Sequence, residues 1–342
     1  MRTNLQLVLR VRPEGRVSLD HFEVREQPIA PLSDGQVLIE TLYLSIDPTN
    51  RIWMSDRPQY MPPVAIGEVM RGLGLGQVIE SRHPDYQPGD LVSGLLGWQQ
   101  LALWEASSLR PLQKLPRHLD VPLTAFLGTL GLTGGLTAYF GMMSIGQPKP
   151  GDTVLVSAAA GSVGSLAGQL AKRAGSRVIG IAGSADKCQY VTEELGFDAC
   201  INYAQENVAA ALDRICPEGI SVLFENVGGE QLEAALHRLR IFARVVLCGL
   251  ISSYNDVELS GPRNFDMLLH RRATLQGFIV SDFASRFPEA LAELVPLVRS
   301  GALKYRQHIV QGLTHAPAAV NMLFDGKNHG KLLLQVAASV ER

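Results

Sequence analysis

The chain has 342 residues, of which 46% are hydrophobic and 19% charged, a composition that predicts large apolar cores and excludes extended disorder. This length favours two domains. The formal net charge of −2 gives no electrostatic reason to expect a nucleic acid or an anionic membrane surface as partner. The densest basic cluster, His270 to Arg272, is short and is better interpreted as the cationic last turn of a helix.

The N-terminal segment contains several arginines and no uninterrupted apolar run, so we expect no signal peptide. The four cysteines lie far apart, with no pair separated by only two residues and no nearby histidine spacing that indicates a metal site. Reduced thiols in a cytoplasmic protein are the simplest interpretation.

The first 120 residues are predicted to be rich in short strands. Runs at 5–9, 35–40, 76–80 and 91–93 are strand-like, and prolines interrupt the loops around them. This spacing predicts a compact barrel or sandwich. The alternate glycines Gly72, Gly74 and Gly76 lie among these strands with no helix after them, so they indicate a sheet turn or bulge instead of a nucleotide-binding loop.

No charged residue occurs between Val121 and Ile145, a stretch long enough to span a bilayer. This stretch is, however, interrupted by five glycines and four threonines. We therefore expect buried helical structure between the domains, in which the glycines allow close backbone approach, and no membrane span.

Strand-like and helix-like segments alternate after Pro150. Strands are predicted at 153–157, 177–182, 221–225, 245–249 and 274–280, and helices at 163–174, 185–195, 231–239 and 264–272. This alternation is typical of a parallel, doubly wound sheet. From about residue 303 the tail returns to strand-like runs at 307–310 and 331–336, and we expect it to fold back onto the first domain.

The segment from Thr153 to Gly164 contains the most informative motif. A buried strand enters a tight turn and a helix begins at once; Gly161 would allow a pyrophosphate to approach the backbone, and Gly164 would allow the helix to pack closely on the sheet. The phosphates would then be bound by unpaired amides at the helix N-terminus. Ala159 replaces the first glycine of the usual fingerprint.

The end of the next predicted strand bears on the choice of cofactor. NAD sites usually place a carboxylate there to bind the ribose hydroxyls, but this strand ends at Ala182 and no acid occurs before Asp186. Ser184 and Lys187 follow instead. Because a carboxylate would repel a 2′-phosphate, the pattern favours NADPH, with a solvated loop lysine as the alternative interpretation.

No histidine lies at a usual zinc-ligand spacing, and neither a hydrolase nucleophile elbow nor a P-loop occurs. A hydride-transferring enzyme without a metal can reduce a double bond that conjugation already activates, because the developing enolate needs only hydrogen-bond donors and a proton source. Asn226 and Tyr254 follow predicted strands and are the candidates for this role. For Tyr254, an ordinary half-exposed tyrosine is the alternative.

Several motifs occur in one order through nearly the whole chain. They are Ser45-Ile46-Asp47-Pro48, residues 62–72, Gly97-Trp98-Gln99, residues 134–141, residues 157–164, residues 225–229, residues 248–255, residues 276–280 and residues 326–331. Together they resemble the medium-chain dehydrogenase/reductase superfamily. Within it they are similar to the zinc-free branch of prostaglandin reductases, plant alkenal double-bond reductases and bacterial curcumin reductases.

The resemblance implies an α/β fold with two domains. A GroES-like β-barrel catalytic domain would comprise residues 1–125 with 303–342, and a Rossmann domain, a doubly wound parallel sheet that binds NADPH, would comprise residues 126–302. Zinc-dependent relatives carry a catalytic cysteine where this chain has Ser45, and a histidine where it has Gly67, so no metal is expected. A homodimer formed through edge strands of the cofactor domain is also implied.

The resemblance also assigns site residues. The pyrophosphate would be held by Gly161, Ser162, Val163 and Gly164, and the 2′-phosphate by Lys187 and Tyr203. Tyr254 is the catalytic candidate, which would fix the ribose hydroxyl or the enolate oxygen. The other ribose and nicotinamide contacts would be Asn226, Cys248, Gly249, Leu250, Ile251, Ser252, Ser253, Phe278, Ile279, Val280 and Asn328. The substrate side would be lined by Tyr60, Met70, Trp98 and Gln99.

The predicted reaction is NADPH-dependent hydride transfer to the β-carbon of small α,β-unsaturated ketones or aldehydes, so the chain would be a 2-alkenal or enone reductase acting on a CH–CH group. A quinone oxidoreductase of the same fold is the main alternative, followed by an NADPH-binding member without turnover and a zinc-independent alcohol dehydrogenase. One departure concerns Gly134 and Gly135, where the family usually has a single glycine. An extra residue there could shift the pocket.

Overall fold

The structure, a computed structural model, describes residues 2–105, 112–116, 120–256 and 261–337. The chain divides into two compact units. Unit 1 comprises Met1–Leu127, His308–Lys327 and Leu332–Arg342, and unit 2 comprises Gly128–Gln307 and Asn328–Lys331.

The secondary structure follows in chain order. The strands are β1 (Thr3–Leu9), β2 (Phe22–Pro28), β3 (Gln36–Ser45), β4 (Leu73–Ser81), β5 (Leu91–Leu95), β6 (Leu101–Glu105), β7 (Leu112–Lys114), β8 (Thr153–Val156), β9 (Arg177–Ala182), β10 (Ala199–Asn202), β11 (Ile220–Glu225), β12 (Leu239–Leu247), β13 (Thr274–Gly277), β14 (Gln307–Gln311) and β15 (Lys331–Gln335). The α-helices are α1 (Pro48–Trp53), α2 (Thr137–Tyr139), α3 (Ser162–Arg173), α4 (Ala185–Gln189), α5 (Val208–Ile215), α6 (Gly229–His237), α7 (Met267–Arg271), α8 (Phe287–Arg299) and α9 (Ala316–Phe324).

Unit 1 is built around the long strand β3, which is buried along most of its length. Its main sheet has the order β14-β15-β3-β4-β5-β7, and β6 pairs with the first half of β3. Because β15 pairs antiparallel with the end of β3, the predicted return of the tail to the first domain is confirmed. Of the alternate glycines, Gly74 and Gly76 lie in β4 and Gly72 directly precedes it. The register of β4 with β3 shifts beside Gly76, as expected for a sheet bulge.

Unit 2 is a six-stranded parallel sheet with the order β10-β9-β8-β11-β12-β13. The predicted doubly wound sheet is therefore confirmed. The strand order reverses between β8 and β11, which are consecutive neighbours in the sheet but not in the chain, and ligands of such sheets bind at the carboxyl ends of these strands. Every residue of both strands is buried, in keeping with their mainly apolar sequences.

Several predicted boundaries in unit 2 are wrong. The helix predicted over 264–272 is only Met267–Arg271, and the strand predicted over 245–249 ends at Leu247. A strand is predicted over 274–280, but β13 ends at Gly277 because its partner β12 ends at Leu247, opposite that residue. The helix predicted over 231–239 ends at His237, and β12 begins at Leu239, six residues earlier than expected. Residues 240–242 on β12 are exposed, so no apolar alternation marks the early start of this strand.

The uncharged stretch at 121–145 forms buried short helical segments, as predicted. In the part of the chain that the structure describes, no helix is long and apolar enough to cross a membrane. Both of its adjacent glycines, Gly134 and Gly135, lie in a π-helical turn, Leu132–Leu136. A Cβ added to Gly135 would lie 1.7 Å from the carbonyl oxygen of Thr129, so only glycine fits there. A π turn is the usual way for a helix to accommodate one extra residue.

Candidate functional site

The turn between β8 and α3 lies at the carboxyl edge of the parallel sheet. Ala158 has a φ of 50°, an unusual value for a residue with a side chain, and its carbonyl oxygen accepts a hydrogen bond from the amide of Gly161 at 2.9 Å. A Cβ added to Gly164 would lie 2.4 Å from that same oxygen. The turn is therefore so tight that the helix can begin only where a glycine faces it.

The first turn of α3 offers hydrogen-bond donors to a ligand. Its N-cap residue is Gly161, which has no side chain to cap the first amides. The hydroxyl oxygen of Ser162 is buried and has no hydrogen-bond partner among the described residues. A buried hydroxyl beside uncapped amides fits a bound phosphate, which would accept bonds from both.

The segment Asn328–Lys331 belongs to unit 2 although the residues on both sides of it belong to unit 1. Gly330 forms an isolated parallel bridge with Gly161, which brings this segment to the phosphate turn. Asn328 is buried, and its side-chain amide donates to the carbonyl of Gly330 at 2.9 Å. Asn328 thus lies in the segment that meets the turn after β8, and its predicted contact with the ribose or nicotinamide stays a prediction.

The residues predicted for the 2′-phosphate meet at the end of β9. Ser184 caps α4 and accepts a hydrogen bond from the amide of Lys187 at 3.3 Å. The amide of Tyr203 donates to the carbonyl of Ala182, and a Cβ added to Gly183 would lie 2.6 Å from the Tyr203 hydroxyl. The half-exposed tyrosine ring therefore covers the glycine that ends the strand. Partial burial lowers the pKa of Lys187.

Asn226 follows β11 directly and is held against the end of β8. Its backbone amide donates to the hydroxyl of Ser157 at 2.7 Å, and its side-chain amide nitrogen donates to the Ser157 carbonyl, also at 2.7 Å. These two bonds fix the orientation of the side chain at the point where the strand order reverses. Ser157 was not among the predicted site residues, because a serine at the end of a strand has many possible roles.

The loop 248–254, which follows β12, lies beside Asn226. The amide of Ile251 donates to the Asn226 carbonyl at 3.1 Å, and the hydroxyl of Tyr254 accepts a hydrogen bond from the amide of Leu250 at 3.0 Å. Tyr254 thus folds over its own loop, with its hydroxyl close to Gly249. In this bond the hydroxyl oxygen is the acceptor.

Phe278 directly follows β13, and its ring lies beside Gly141 and Phe283 within unit 2. A Cβ added to Gly141 would lie 2.8 Å from the tip of the Phe278 ring, so this glycine creates the space for the ring. Ile279 and Val280 are partly buried and begin the 3₁₀ helix Val280–Arg286. The predicted cofactor residues of unit 2 are therefore grouped along the carboxyl edge of its sheet and in the loops that follow.

Glu225, the last residue of β11, was missed as a candidate. It is completely buried, and burial raises the pKa of its carboxyl to about 7. Its Oε1 accepts hydrogen bonds from the amides of Val227 and Gly228 at 2.5 and 2.6 Å. Burial, reinforced by the nearby Glu225 carboxylate, raises the pKa of Cys248 to about 12. A charged residue at the end of an otherwise apolar strand was the available signal.

The residues predicted for the substrate side lie in unit 1 and differ in exposure. Tyr60 is half exposed, and its hydroxyl oxygen accepts a hydrogen bond from Trp53 Nε1 at 3.0 Å. Gln99 is partly buried, and its side-chain oxygen accepts bonds from Asn4 and Gln6. By contrast, the side chains of Met70 and Trp98 are completely buried within the apolar core of unit 1.

The position at which zinc-dependent relatives have a cysteine is occupied by the buried Ser45, whose hydroxyl donates to Asp47. Among the residues that the structure describes, no group of three or more histidine, cysteine, aspartate or glutamate side chains is arranged to hold a metal ion.

Two family models match the chain. One, described as the N-terminal domain of oxidoreductase, matches residues 5–112. The other, described as zinc-binding dehydrogenase, matches residues 162–296. Together they cover most of the sequence and fall on different units, with the first on unit 1 and the second on unit 2.

Individual proteins are similar over nearly the full length. The NADPH-dependent curcumin reductase of Escherichia coli is 44% identical, with 98% of this chain and 97% of the relative covered. The NADP⁺-dependent 2-alkenal reductase of Nicotiana tabacum is 37% identical, with 98% of both chains covered. The crystal structure of CurA in complex with NADPH from Vibrio vulnificus has a TM-score of 0.90 at 41% identity, covering 98% of this chain and all of the other.

Proposed function

We propose that this chain, which belongs to the medium-chain dehydrogenase/reductase superfamily and to its branch of curcumin, alkenal and prostaglandin reductases, reduces the activated C=C bond of α,β-unsaturated ketones or aldehydes with NADPH. The family predicted from the sequence and the fold class are those of the relatives. Bound NADPH would supply the hydride for the β-carbon of the substrate.

The observation that supports this function best is the group of residues at the end of β9. The Lys187 amide donates to the Ser184 hydroxyl there, and the Tyr203 ring covers Gly183. The strand end Ala182-Gly183-Ser184 has no carboxylate for an NAD ribose. We propose that these two side chains bind the 2′-phosphate, because a lysine and a phenol can both donate to phosphate oxygens.

The remaining cofactor contacts are proposed from position. The uncapped amides from Ser162 to Gly164 and the buried Ser162 hydroxyl would bind the pyrophosphate. The side-chain N–H of Asn226 donates a hydrogen bond to the Ser157 carbonyl, and its Oδ1 would accept one from a ribose hydroxyl. The loop 248–254, Phe278 to Val280 and Asn328 would enclose the nicotinamide end.

Hydride addition to a conjugated double bond leaves negative charge on the carbonyl oxygen of the substrate, and a hydrogen-bond donor there stabilises it. We propose Tyr254 as this donor or as the donor to the ribose. Its hydroxyl oxygen accepts from the Leu250 amide, which holds this oxygen in place beside Gly249. Either Tyr254 or water would then protonate the α-carbon.

We propose that unit 1 carries the substrate-binding role and unit 2 the NADPH-binding role. Of the substrate residues predicted in unit 1, Tyr60 and Gln99 have exposed surface with which to contact a substrate. Met70 and Trp98 have none, so they would act by supporting the residues around them.

The function is tested by following NADPH oxidation with a short enone, its saturated ketone, a simple quinone and no acceptor, with NADH in parallel. Oxidation with the enone but not with the saturated ketone, and much more slowly with NADH, is the expected result. Turnover of the quinone alone would replace the proposal with a quinone oxidoreductase. Tight NADPH binding without any turnover would indicate a non-catalytic member.

We also propose a cytoplasmic homodimer. Strand β13 ends the parallel sheet and is largely exposed, as expected of an edge that another strand can extend. Phe242 and Leu269 are 69% and 77% exposed, so a partner subunit that packed on them would remove apolar surface from water. Light scattering during size-exclusion chromatography should give twice the monomer mass, and the monomer mass would overturn this proposal.

A further inference from the structure

In unit 2, the turn that follows β11 and the loop that follows β12 are hydrogen-bonded to each other near the end of β11. The backbone carbonyl of Glu225 accepts hydrogen bonds from the amides of Cys248 and Gly249, at 2.9 and 3.1 Å. The carbonyl of Val227 accepts from both the amide and the hydroxyl of Ser252, at 3.0 and 2.6 Å. The loop after β12 is thus attached through its backbone to residues 225–227, so its position depends on the shape of the turn that follows β11.

One buried side-chain oxygen accepts hydrogen bonds from two amides of that turn. Oε1 of Glu225 accepts the amide hydrogen bonds of Val227 and Gly228, which turns the backbone sharply after the strand. Gly228 has a φ of 82°, a conformation that few other residues adopt. The carboxyl is completely buried, and its other oxygen, Oε2, has no hydrogen-bond partner among the described residues.

Burying a carboxyl group costs free energy, and an apolar residue at the end of this strand would avoid that cost. The amides of Gly228 and Val227 stabilise the buried carboxyl most, and the Ser157 hydroxyl and the Asn226 amide add to this effect. A protein that needed only a filled core at this position would not require an acceptor. The turn after β11 does use this acceptor, because two of its amides donate to Oε1 of Glu225. The same turn contains Asn226 and is hydrogen-bonded to the loop 248–254.

We propose that Glu225 is a positioning residue for hydride transfer, because its Oε1 fixes the Asn226–Gly229 turn and, through that turn, the loop that presents Tyr254. The proposal rests on the proposed function, since it assigns the nicotinamide end to these loops. The opposite end of the site, at Lys187 and Tyr203, has no described hydrogen bond to Glu225.

Two variants separate positioning from folding. Glu225→Gln keeps an oxygen that can accept both amide bonds, whereas Glu225→Leu keeps the bulk and removes the acceptor. The measurements are kcat and KM with NADPH and an enone, together with binding of 2′,5′-ADP, a fragment that lacks the nicotinamide. Exposed Glu218→Gln is the matched control in the same unit.

We expect Glu225→Leu to lower kcat about tenfold or more, because small displacements of reacting groups have effects of this size. The affinity for 2′,5′-ADP should stay within about twofold of wild type, and Glu225→Gln should recover most of kcat. Unchanged kcat in Glu225→Leu would overturn the proposal. Loss of 2′,5′-ADP binding in Glu225→Leu would overturn it too, because Glu225 would then be needed for the folding of the whole of unit 2.

Failure of the proposed function is distinguishable from failure of this inference. If wild type turns over no enone but binds NADPH, the same variants are compared by the affinity for NADPH relative to that for 2′,5′-ADP. A selective loss of NADPH affinity in Glu225→Leu, recovered in Glu225→Gln, would support positioning of the nicotinamide end. Equal affinities in all three proteins would overturn it.

Discussion

Replacing Glu225 with glutamine should stabilise unit 2 at alkaline pH. Burial raises the pKa of this carboxyl from an ordinary 4.5 to about 7. Because the folded-state pKa is the higher one, the contribution of Glu225 to stability is fully present below the unfolded pKa and is lost as the pH rises through about 7. Each pKa unit is worth about 1.4 kcal/mol, so the ionised carboxylate costs the folded state about 3 kcal/mol above that pH.

The measurement is urea unfolding of wild type and Glu225→Gln between about pH 5.5 and about pH 8.5. All three tryptophans, Trp53, Trp98 and Trp104, lie in unit 1, so their fluorescence would report on the wrong unit. Circular dichroism combined with hydrogen exchange of the β11 amides follows unit 2 instead. Across this pH range the unfolding free energy of wild type should fall by about 2 kcal/mol relative to that of the variant.

The control is Glu218→Gln, which replaces an exposed glutamate just before β11 and should show the pH dependence of wild type. The reasoning is refuted if wild type and Glu225→Gln have the same pH dependence. It is also refuted if wild type becomes more stable, relative to the variant, as the pH rises. Either result would mean that ionisation of the Glu225 carboxyl does not lower the free energy of unfolding of the protein.

Three further changes should have distinct effects. Gly164→Ala places a methyl group 2.4 Å from the Ala158 oxygen, and the displaced turn should weaken NADPH binding in titrations by about 1–3 kcal/mol; unaltered affinity would contradict the phosphate assignment. Lys187→Ala should raise the KM for NADPH by about tenfold or more and leave the KM for NADH nearly unchanged, as steady-state kinetics would show. Prolonged dialysis against a chelator should leave kcat unchanged, since Ser45 stands where zinc-dependent relatives have a cysteine; activity restored only by zinc would refute that expectation.

Features that depend on neighbours in the chain were predictable from the sequence. The strand, tight turn and helix around Gly161 follow from glycine spacing and an apolar run, and the structure has them at these positions. The cationic last turn at His270 and Arg271 is also confirmed, because it is a local property of α7. The alternation of strands and helices was enough to predict the parallel sheet, since such a sheet needs a crossover helix after nearly every strand.

Features that depend on contacts between distant residues were decided by the tertiary structure alone. Trp98 could be an exposed wall residue or a core residue by type, and packing against Phe22 places it in the core. The segment Asn328–Lys331 joins unit 2 because Gly330 bridges to Gly161, a pairing across 169 positions that no local pattern announces. The burial of the Glu225 carboxyl likewise depends on tertiary structure, because it arises only when neighbouring elements pack around the end of β11.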